Sequence, residues 1–262
     1  MFDDLSRSTP LLLNLKPSGE YLMEDFYYAG GIPALLLEMG ELLDLETMTI
    51  TGRTIRENIR GFQTHNQDVI KSVTDPMDEE GGLAVLYGNL APDGAIIKQS
   101  AASPELMTHK GRAVVFENHQ DLMNRIDDPN LEVSQDNVLV MKNSGPIGAP
   151  GMPEWGFMPL PKKLLTKGIR DMVRISDARM SGTAFGTVVV HVPPESVKGG
   201  VFSAVRDGDI IEIDVPNRKI ELLVEAEELE SRLVDFEFPV TISPRGFKWL
   251  YAQHITQADK GC

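Results

Sequence analysis

The pattern of apolar positions divides the chain into two parts that meet near residue 80. In residues 1–75, apolar side chains recur at helical spacing between turn residues, so this part is predicted to be mostly helical. One of these helices is predicted from Pro33, because proline suits the first turn of a helix. The polar and acidic run 64–80 follows, and it is predicted to be a linker.

From residue 81 onward, short apolar runs alternate with glycine and proline turns. Eight of these runs are rich in β-branched residues and are predicted to be strands. They are residues 84–87, 95–97, 113–116, 137–141, 172–175, 187–191, 209–215 and 219–224. Helical patches are predicted at 119–126, 162–168 and 226–234. This pattern predicts a β-rich domain with a few helices that closes, or nearly closes, as a β-barrel, and it divides the chain into domains 1–75 and 76–262.

Charge and cysteine content narrow the class of protein. The 262 residues carry 25 Lys and Arg against 39 Asp and Glu, a formal net charge of −14. Such an excess of acid repels nucleic-acid backbones and anionic membranes, so neither is a predicted partner. No run approaches the roughly 20 apolar residues of a membrane span, and the N-terminus lacks a secretory signal, which predicts a cytoplasmic protein. Cys262 is the only cysteine, which excludes an internal disulfide.

A loop rich in glycine and proline follows one predicted strand directly. Residues 142–155 read KNSGPIGAPGMPEW, with three glycines and three prolines between positions 145 and 153. Such a run forms neither helix nor strand, and its backbone can approach a ligand closely. The only acid in the run is Glu154, and a carboxylate in this position suits a hard cation such as Mg²⁺. The alternative is a structural loop with a solvated glutamate.

A second polar segment, residues 174–187, starts in a predicted strand and carries Asp177, Arg179 and Ser181. Polar groups at the carboxyl end of a strand commonly form a site. A serine hydroxyl is a poor base unless a cation or hydrogen-bond donors stabilise its alkoxide. The Gly-x-Ser-x-Gly pattern of serine hydrolases is absent, so a hydrolase nucleophile is unsupported. The alternatives are a capping serine in a turn and a structural salt bridge for Arg179.

Together these segments resemble two motifs of the dihydroxy-acid/sugar-acid dehydratase family. GPIGAPGMPE at 145–154 resembles its glycine–proline loop, and SDARMSGT at 176–183 resembles its serine loop. YGNLAPDG at 87–94, HVPPE at 191–195 and VRDGDII at 205–211 agree as well, and several ordered motifs are more specific than one. The sequence ARMSGT, in place of the GRFSGG of branched-chain dihydroxy-acid dehydratases, resembles the aldonate dehydratases that act on arabinonate or xylonate.

The resemblance implies a two-domain enzyme that removes water from a 2,3-dihydroxy acid, here a sugar acid, to give a 2-keto-3-deoxy acid. Residues 1–75 would be the C-terminal remnant of an N-terminal α/β domain, and residues 76–262 would be a swivelling-type β-barrel. In the family, the N-terminal domain supplies three cysteines to an iron–sulfur cluster (2Fe-2S or 4Fe-4S) and most ligands of a Mg²⁺ ion. Family members are dimers or tetramers, so a homo-oligomer is expected.

The same resemblance assigns roles to four residues. Ser181, as an alkoxide, would remove the C2 proton, and Glu154 would be a Mg²⁺ ligand. Thr183 and Arg179 would bind the small anionic sugar-acid substrate. Because Cys262 is the only cysteine, the cluster ligands are expected on a missing N-terminal half, and the chain alone is predicted to be inactive. The alternatives are a non-catalytic remnant barrel with a binding or interaction role, and a branched-chain dihydroxy acid as substrate.

Overall fold

The computed structural model describes residues 1–234, 236 and 244–262. These residues form two compact units, Met1–Leu83 and Ala84–Cys262. The units divide between residues 83 and 84, whereas the sequence predicts a domain division between 75 and 76. That residues 1–75 are a remnant of an N-terminal domain stays a prediction.

Every residue of the first unit is described, and together they form four short α-helices. These are α1 (Phe2–Ser8), α2 (Met23–Tyr28), α3 (Gly31–Met39) and α4 (Ile55–Ile59). The capping box at Thr54 starts α4: its hydroxyl accepts from the Glu57 N–H at 3.2 Å, and the Glu57 carboxylate accepts from the Thr54 N–H at 2.9 Å. The helices cover fewer than half of the unit, so the prediction of a mostly helical segment was wrong in extent.

The segment 64–80 belongs to the core of the first unit. Val69 and Ile70 are buried with Phe26 and Ala34. The backbone N–H of Lys71 donates to the Leu12 carbonyl at 2.8 Å, which ties the segment to an earlier part of the chain. The prediction of a linker was therefore wrong, because two adjacent apolar residues within a polar run are enough to anchor it.

The strands of the second unit form a closed barrel in the order β1-β2-β6-β5-β4-β3-β7-β8. They are β1 (Ala84–Gly88), β2 (Ala91–Ile97), β3 (Thr108–Phe116), β4 (Val138–Met141), β5 (Arg174–Ser176), β6 (Val188–Val190), β7 (Ile210–Asp214) and β8 (Lys219–Leu222). Each of the eight predicted apolar runs overlaps one of these strands. The prediction of a β-rich barrel domain with a few helices is confirmed.

Helices and a second apolar layer cover part of the barrel. The helices are α5 (His119–Arg125), α6 (Lys162–Leu165), α7 (Ala226–Val234) and α8 (Phe247–His254), and the sequence missed only the last. Strand β4 is buried on both faces: Val140 packs in the barrel core, while Leu139 packs with Leu122 and Leu164 of α5 and α6. Among the described residues, no helix combines the length and apolarity that crossing a bilayer requires.

Strand direction positions the polar connections. Strands β3, β4, β5 and β6 pair in parallel, so their carboxyl ends lie at the same edge of the sheet. The connections from β4 to β5 and from β5 to β6 are therefore crossovers. The first connection contains residues 142–155, named below the glycine–proline segment. The serine segment, residues 174–187, consists of β5 and the connection that follows it.

A narrow seam between β1 and β8 closes the barrel. One parallel bridge joins Tyr87 to Lys219. Beside it, the Asn89 side chain donates to the Leu222 carbonyl at 2.9 Å and accepts from the Leu222 N–H at 2.7 Å. Gly88 permits this approach, because a Cβ there would lie 1.9 Å from the Ile220 carbonyl oxygen.

Candidate active site

The glycine–proline segment and the serine segment lie side by side. The Gly156 N–H, just beyond the first segment, donates to the Arg179 carbonyl at 2.8 Å. The Arg179 side chain forms an ion pair with Glu154, with Nη1 3.1 Å from Oε1, and its Nε donates to the Met152 carbonyl. Both partners of the ion pair are nearly half exposed, at 44% and 48%, so this pair adds little stability to the contact between the segments.

Ser181 lies in a tight local turn of the serine segment. Its Oγ lies 2.9 Å from the Thr183 Oγ1 and accepts from the Thr183 N–H at 3.3 Å. An N–H that donates to this oxygen stabilises negative charge on it, as an alkoxide requires. The same bond is the one that a structural turn serine makes. The predicted catalytic and capping roles of Ser181 are both compatible with this geometry.

Lys98, which the sequence analysis missed, brings a positive charge to the serine segment. It follows β2, and its Nζ donates to the Gly182 carbonyl at 2.7 Å. Burial lowers the pKa of Lys98. Lys98 therefore binds the backbone of the residue that follows Ser181. No sequence signal pairs Lys98 with Gly182, because their proximity depends on the strand order β2-β6-β5.

A fully buried carboxylate, Asp177, joins three pieces of chain at the carboxyl end of β5. Its Oδ1 accepts from the Ser144 N–H at 2.9 Å, and its Oδ2 accepts from the Ser196 N–H and Oγ at 3.0 and 2.7 Å. Burial raises the pKa of Asp177 to about 6, although the hydrogen bonds from Ser196 and Ser144 oppose this rise. The start of the glycine–proline segment is thereby attached to the serine segment.

A second buried carboxylate, Glu195, holds the middle of the glycine–proline segment. It accepts from the N–H groups of Ile147 and Gly148 at 2.9 Å, and from the Gln257 Nε2 at 2.6 Å. A Cβ on Gly145 would lie 2.8 Å from Oε2 of Glu195, so only glycine leaves room for the carboxylate.

The predicted cofactors fit the described residues unequally. Glu154 offers one carboxylate, which suits a single Mg²⁺ ligand. The described part of the chain contains no group of three or more His, Cys, Asp or Glu side chains placed to hold a metal ion. An iron–sulfur cluster needs several thiolates. Cys262 is one thiol, and burial raises its pKa, which disfavours the thiolate. The residues of this chain therefore do not fit a cluster.

The structure brings the four predicted site residues together as two pairs. Arg179 contacts Glu154, and Ser181 contacts Thr183. Of the roles left open for Arg179, the structure shows a salt bridge. The substrate-binding roles of Arg179 and Thr183, the basic role of Ser181 and the metal-binding role of Glu154 stay predictions.

The combination of a closed β-barrel with these two crossover segments agrees with the comparisons to known families. The family model described as "Dihydroxy-acid/6-phosphogluconate dehydratase C-terminal" matches residues 68–262. The model of the N-terminal domain of the same family matches residues 1–58. The chain belongs to the dihydroxy-acid/6-phosphogluconate dehydratase family.

Individual relatives are similar to nearly the whole of this chain. The chain is 49% identical to the L-arabinonate dehydratase of Rhizobium leguminosarum bv. trifolii (strain WSM2304), over 99% of this chain and 45% of that protein. It is 46% identical to the 6-deoxy-6-sulfo-D-gluconate dehydratase of Pseudomonas putida, over 97% and 44%. It is 38% identical to the dihydroxy-acid dehydratase of Caldanaerobacter subterraneus subsp. tengcongensis (strain DSM 15242 / JCM 11007 / NBRC 100824 / MB4), over 99% and 46%. The chain spans somewhat less than half the length of these relatives.

Proposed function

We propose that this chain is part of a dehydratase that converts a sugar acid such as arabinonate or xylonate to its 2-keto-3-deoxy acid. The observation that carries the proposal is the contact between the serine segment and the carboxylate Glu154 through Arg179. Higher identity to sugar-acid dehydratases, 49% and 46%, than to a dihydroxy-acid dehydratase, 38%, supports the substrate class. A cytoplasmic homo-oligomer that binds a small anionic substrate is part of the same proposal.

Ser181 is the base in this proposal. The C2 proton of the substrate is weakly acidic, so the base must be a strong one placed within hydrogen-bond reach. The Thr183 N–H, which donates to Oγ of Ser181, would stabilise an alkoxide there, and Lys98 binds the residue that follows Ser181. The Thr183 hydroxyl, exposed beside it, is positioned to hydrogen-bond a substrate hydroxyl.

Glu154 and Arg179 bind and orient in this proposal. Glu154 would hold Mg²⁺ through one carboxylate oxygen, and the bound ion would acidify the C2 proton by polarising the substrate carboxylate. Arg179 holds Glu154 in place, and its guanidinium attracts an anionic substrate to the serine segment. Departure of the C3 hydroxyl is assigned to no residue of this chain.

The isolated chain is proposed to be inactive. Its 262 residues contain one cysteine, so the thiolates for a cluster must come from another polypeptide segment. A direct test supplies that segment from a relative. The portion of the Rhizobium L-arabinonate dehydratase outside the matched region would be expressed separately, loaded with iron, sulfide and Mg²⁺, and mixed with this chain.

The expected results separate the parts of the proposal. The chain alone gives no 2-keto-3-deoxy acid from arabinonate or xylonate, whereas the mixture does, with a higher kcat/KM than for a branched-chain dihydroxy acid. Ser181→Ala in the mixture lowers kcat by about 10²–10⁴, the usual contribution of a positioned base. Ser134→Ala, at an exposed serine before β4, leaves kcat unchanged. Turnover by the chain alone, or full activity of Ser181→Ala, would contradict the proposal.

A further inference from the structure

The glycine–proline segment is attached at both ends to the same short piece of the serine segment. At its beginning, the Ser144 N–H donates to the Asp177 carboxylate at 2.9 Å. At its end, Glu154 pairs with the Arg179 guanidinium at 3.1 Å. Asp177 and Arg179 are two residues apart, so two neighbouring side chains hold the two ends of this loop, while Glu195 holds its middle. The attachment at Asp177 is fully buried and the attachment at Arg179 is half exposed.

We propose that Asp177 is a positioning residue of the dehydration site, which sets Glu154 at its working distance from Ser181 by fixing where the glycine–proline segment leaves β4. This inference rests on the proposed function. Asp177 itself is buried and touches no reacting atom, so its effect reaches the site through the two segments that it joins.

The contacts around Asp177 explain how one carboxylate determines the path of the loop. The Ser196 hydroxyl lies 2.7 Å from the Asp177 Oδ2 and 3.0 Å from the Asn143 Oδ1. It also accepts from the Asn143 N–H at 2.6 Å. Asn143 has a φ of 53°, a left-handed conformation that costs free energy and persists only where surrounding contacts hold it. Asp177 and Ser196 together hold this residue, from which the glycine–proline segment departs.

The donors around Asp177 also define a sharp variant. The three hydrogen bonds that the described residues make to Asp177 all come from N–H or O–H groups of Ser144 and Ser196. A carboxylate accepts all three, whereas the NH₂ group of an asparagine would face a donor. Asp177→Asn therefore keeps the shape of the side chain and disrupts the attachment.

Asp171 provides a matched control on the other end of β5. Its carboxylate is also mostly buried and also binds a neighbouring loop, accepting from the Thr187 N–H and Oγ1 at 2.8 Å each. The structure records no contact of Asp171 with the described residues of the glycine–proline segment. Asp171→Asn should therefore reduce stability without releasing that segment.

The first experiment uses the ¹⁵N-labelled chain and measures hydrogen exchange of the Gly156 N–H and the Arg179 Nε–H. Both groups bond across the two segments, and neither contacts Asp177 directly. In Asp177→Asn we expect both to exchange about tenfold faster than in the wild type, with a barrel amide such as that of Val140 reporting any global loss of stability. In Asp171→Asn, exchange of the two groups should change only in proportion to Val140.

Two outcomes would overturn the inference. The first is that, in Asp177→Asn, hydrogen exchange of the Gly156 N–H and the Arg179 Nε–H accelerates only in proportion to exchange of the Val140 amide. If Asp177→Asn does not fold, Ser196→Ala replaces it, because this substitution removes one of the three hydrogen bonds to Asp177. The second outcome is then unchanged hydrogen exchange of the Gly156 N–H and the Arg179 Nε–H in Ser196→Ala, which rejects the inference.

An activity measurement in the two-part mixture separates this inference from the proposed function. If Asp177 positions Glu154, Asp177→Asn raises the Mg²⁺ concentration for half-maximal activity about tenfold and lowers kcat, while Asp171→Asn leaves that concentration unchanged. An unaltered Mg²⁺ requirement in Asp177→Asn rejects the positioning role. Absence of any turnover in the wild-type mixture, together with faster exchange in Asp177→Asn, rejects the proposed function and leaves the structural coupling established.

Discussion

The two ends of strand β5 both hold a buried carboxylate, and they compensate it in different ways. At the amino end, Asp171 pairs with Arg174 at 2.9 Å, and the side chains are 9% and 2% exposed. Arg174 also donates to the Met158 carbonyl at 3.0 Å, and its guanidinium lies 4.9 Å from the centre of the Phe157 ring. At the carboxyl end, the described contacts of Asp177 come from neutral donors alone.

This difference separates a structural end of the strand from an end that serves the candidate site. A buried charge beside an opposite charge is electrostatically compensated, whereas a buried carboxylate held by neutral donors remains costly when ionised. Residues that reduce the stability of a fold are found more often at functional sites than elsewhere. Asp177 is such a residue, and it lies where the two candidate site segments meet.

The largest expected effect on stability comes from removing Arg174, the cation at the amino end of β5. Arg174→Met leaves the Asp171 carboxylate buried without its partner, and we expect the free energy of unfolding to fall by about 3–5 kcal/mol. Urea denaturation measures this change. The control is Lys162→Met, which removes an ion pair with Asp127 that is 78% and 38% exposed and should change stability by less than about 1 kcal/mol. Equal effects of the two substitutions would contradict the distinction between the pairs.

A pH titration tests the carboxyl end. Burial is the main cause that raises the pKa of Asp177 from 3.8 to about 6, and the nearby Glu195 charge adds to it. The folded chain therefore holds this proton more tightly than the unfolded chain, so the contribution of Asp177 to stability falls as pH rises from about 4 to 6 and stays low above that. Relative to Asp177→Asn, the wild type should lose about 2–3 kcal/mol between pH 4 and pH 7. A pH-independent difference between the two proteins in urea denaturation would show that Asp177 titrates normally.

The smallest effect concerns the space beside the amino-end ion pair. Gly186 has a φ of 93°, and a Cβ there would lie 2.2 Å from the Arg174 Nη2. Gly186→Ala should therefore lower the free energy of unfolding by about 2 kcal/mol, because it strains the backbone and displaces the ion pair between Asp171 and Arg174. Gly182→Ala is the control, since nothing lies within 4 Å of its added Cβ. Thermal unfolding of the two variants makes the comparison, and equal melting temperatures would exclude a tightly packed amino end.

The sequence predicts local features of the fold well, and it predicts long-range contacts poorly. The β-branched runs predict all eight strands, because each run carries its own pattern. The run around Val69 and Ile70 was misjudged as a linker, since two apolar residues show no periodicity. The contacts of Lys98 with Gly182 and of Asp177 with Ser196 were not predicted, because they depend on which strands are neighbours in the barrel. The sequence did single out Arg179, and it left a salt bridge open among its roles.

The seam between β1 and β8 has a consequence for how the barrel forms. Tyr87 and Lys219 are the most widely separated strand partners along the described chain, so the loop they close is the longest and carries the greatest entropic cost. The hairpins β1–β2 and β7–β8 are local in sequence and fold early by comparison. The barrel is therefore expected to assemble first as an open sheet and to close in its last step. In that step the Asn89 side-chain amide forms its two hydrogen bonds with the Leu222 backbone, as a peptide group of a neighbouring strand would.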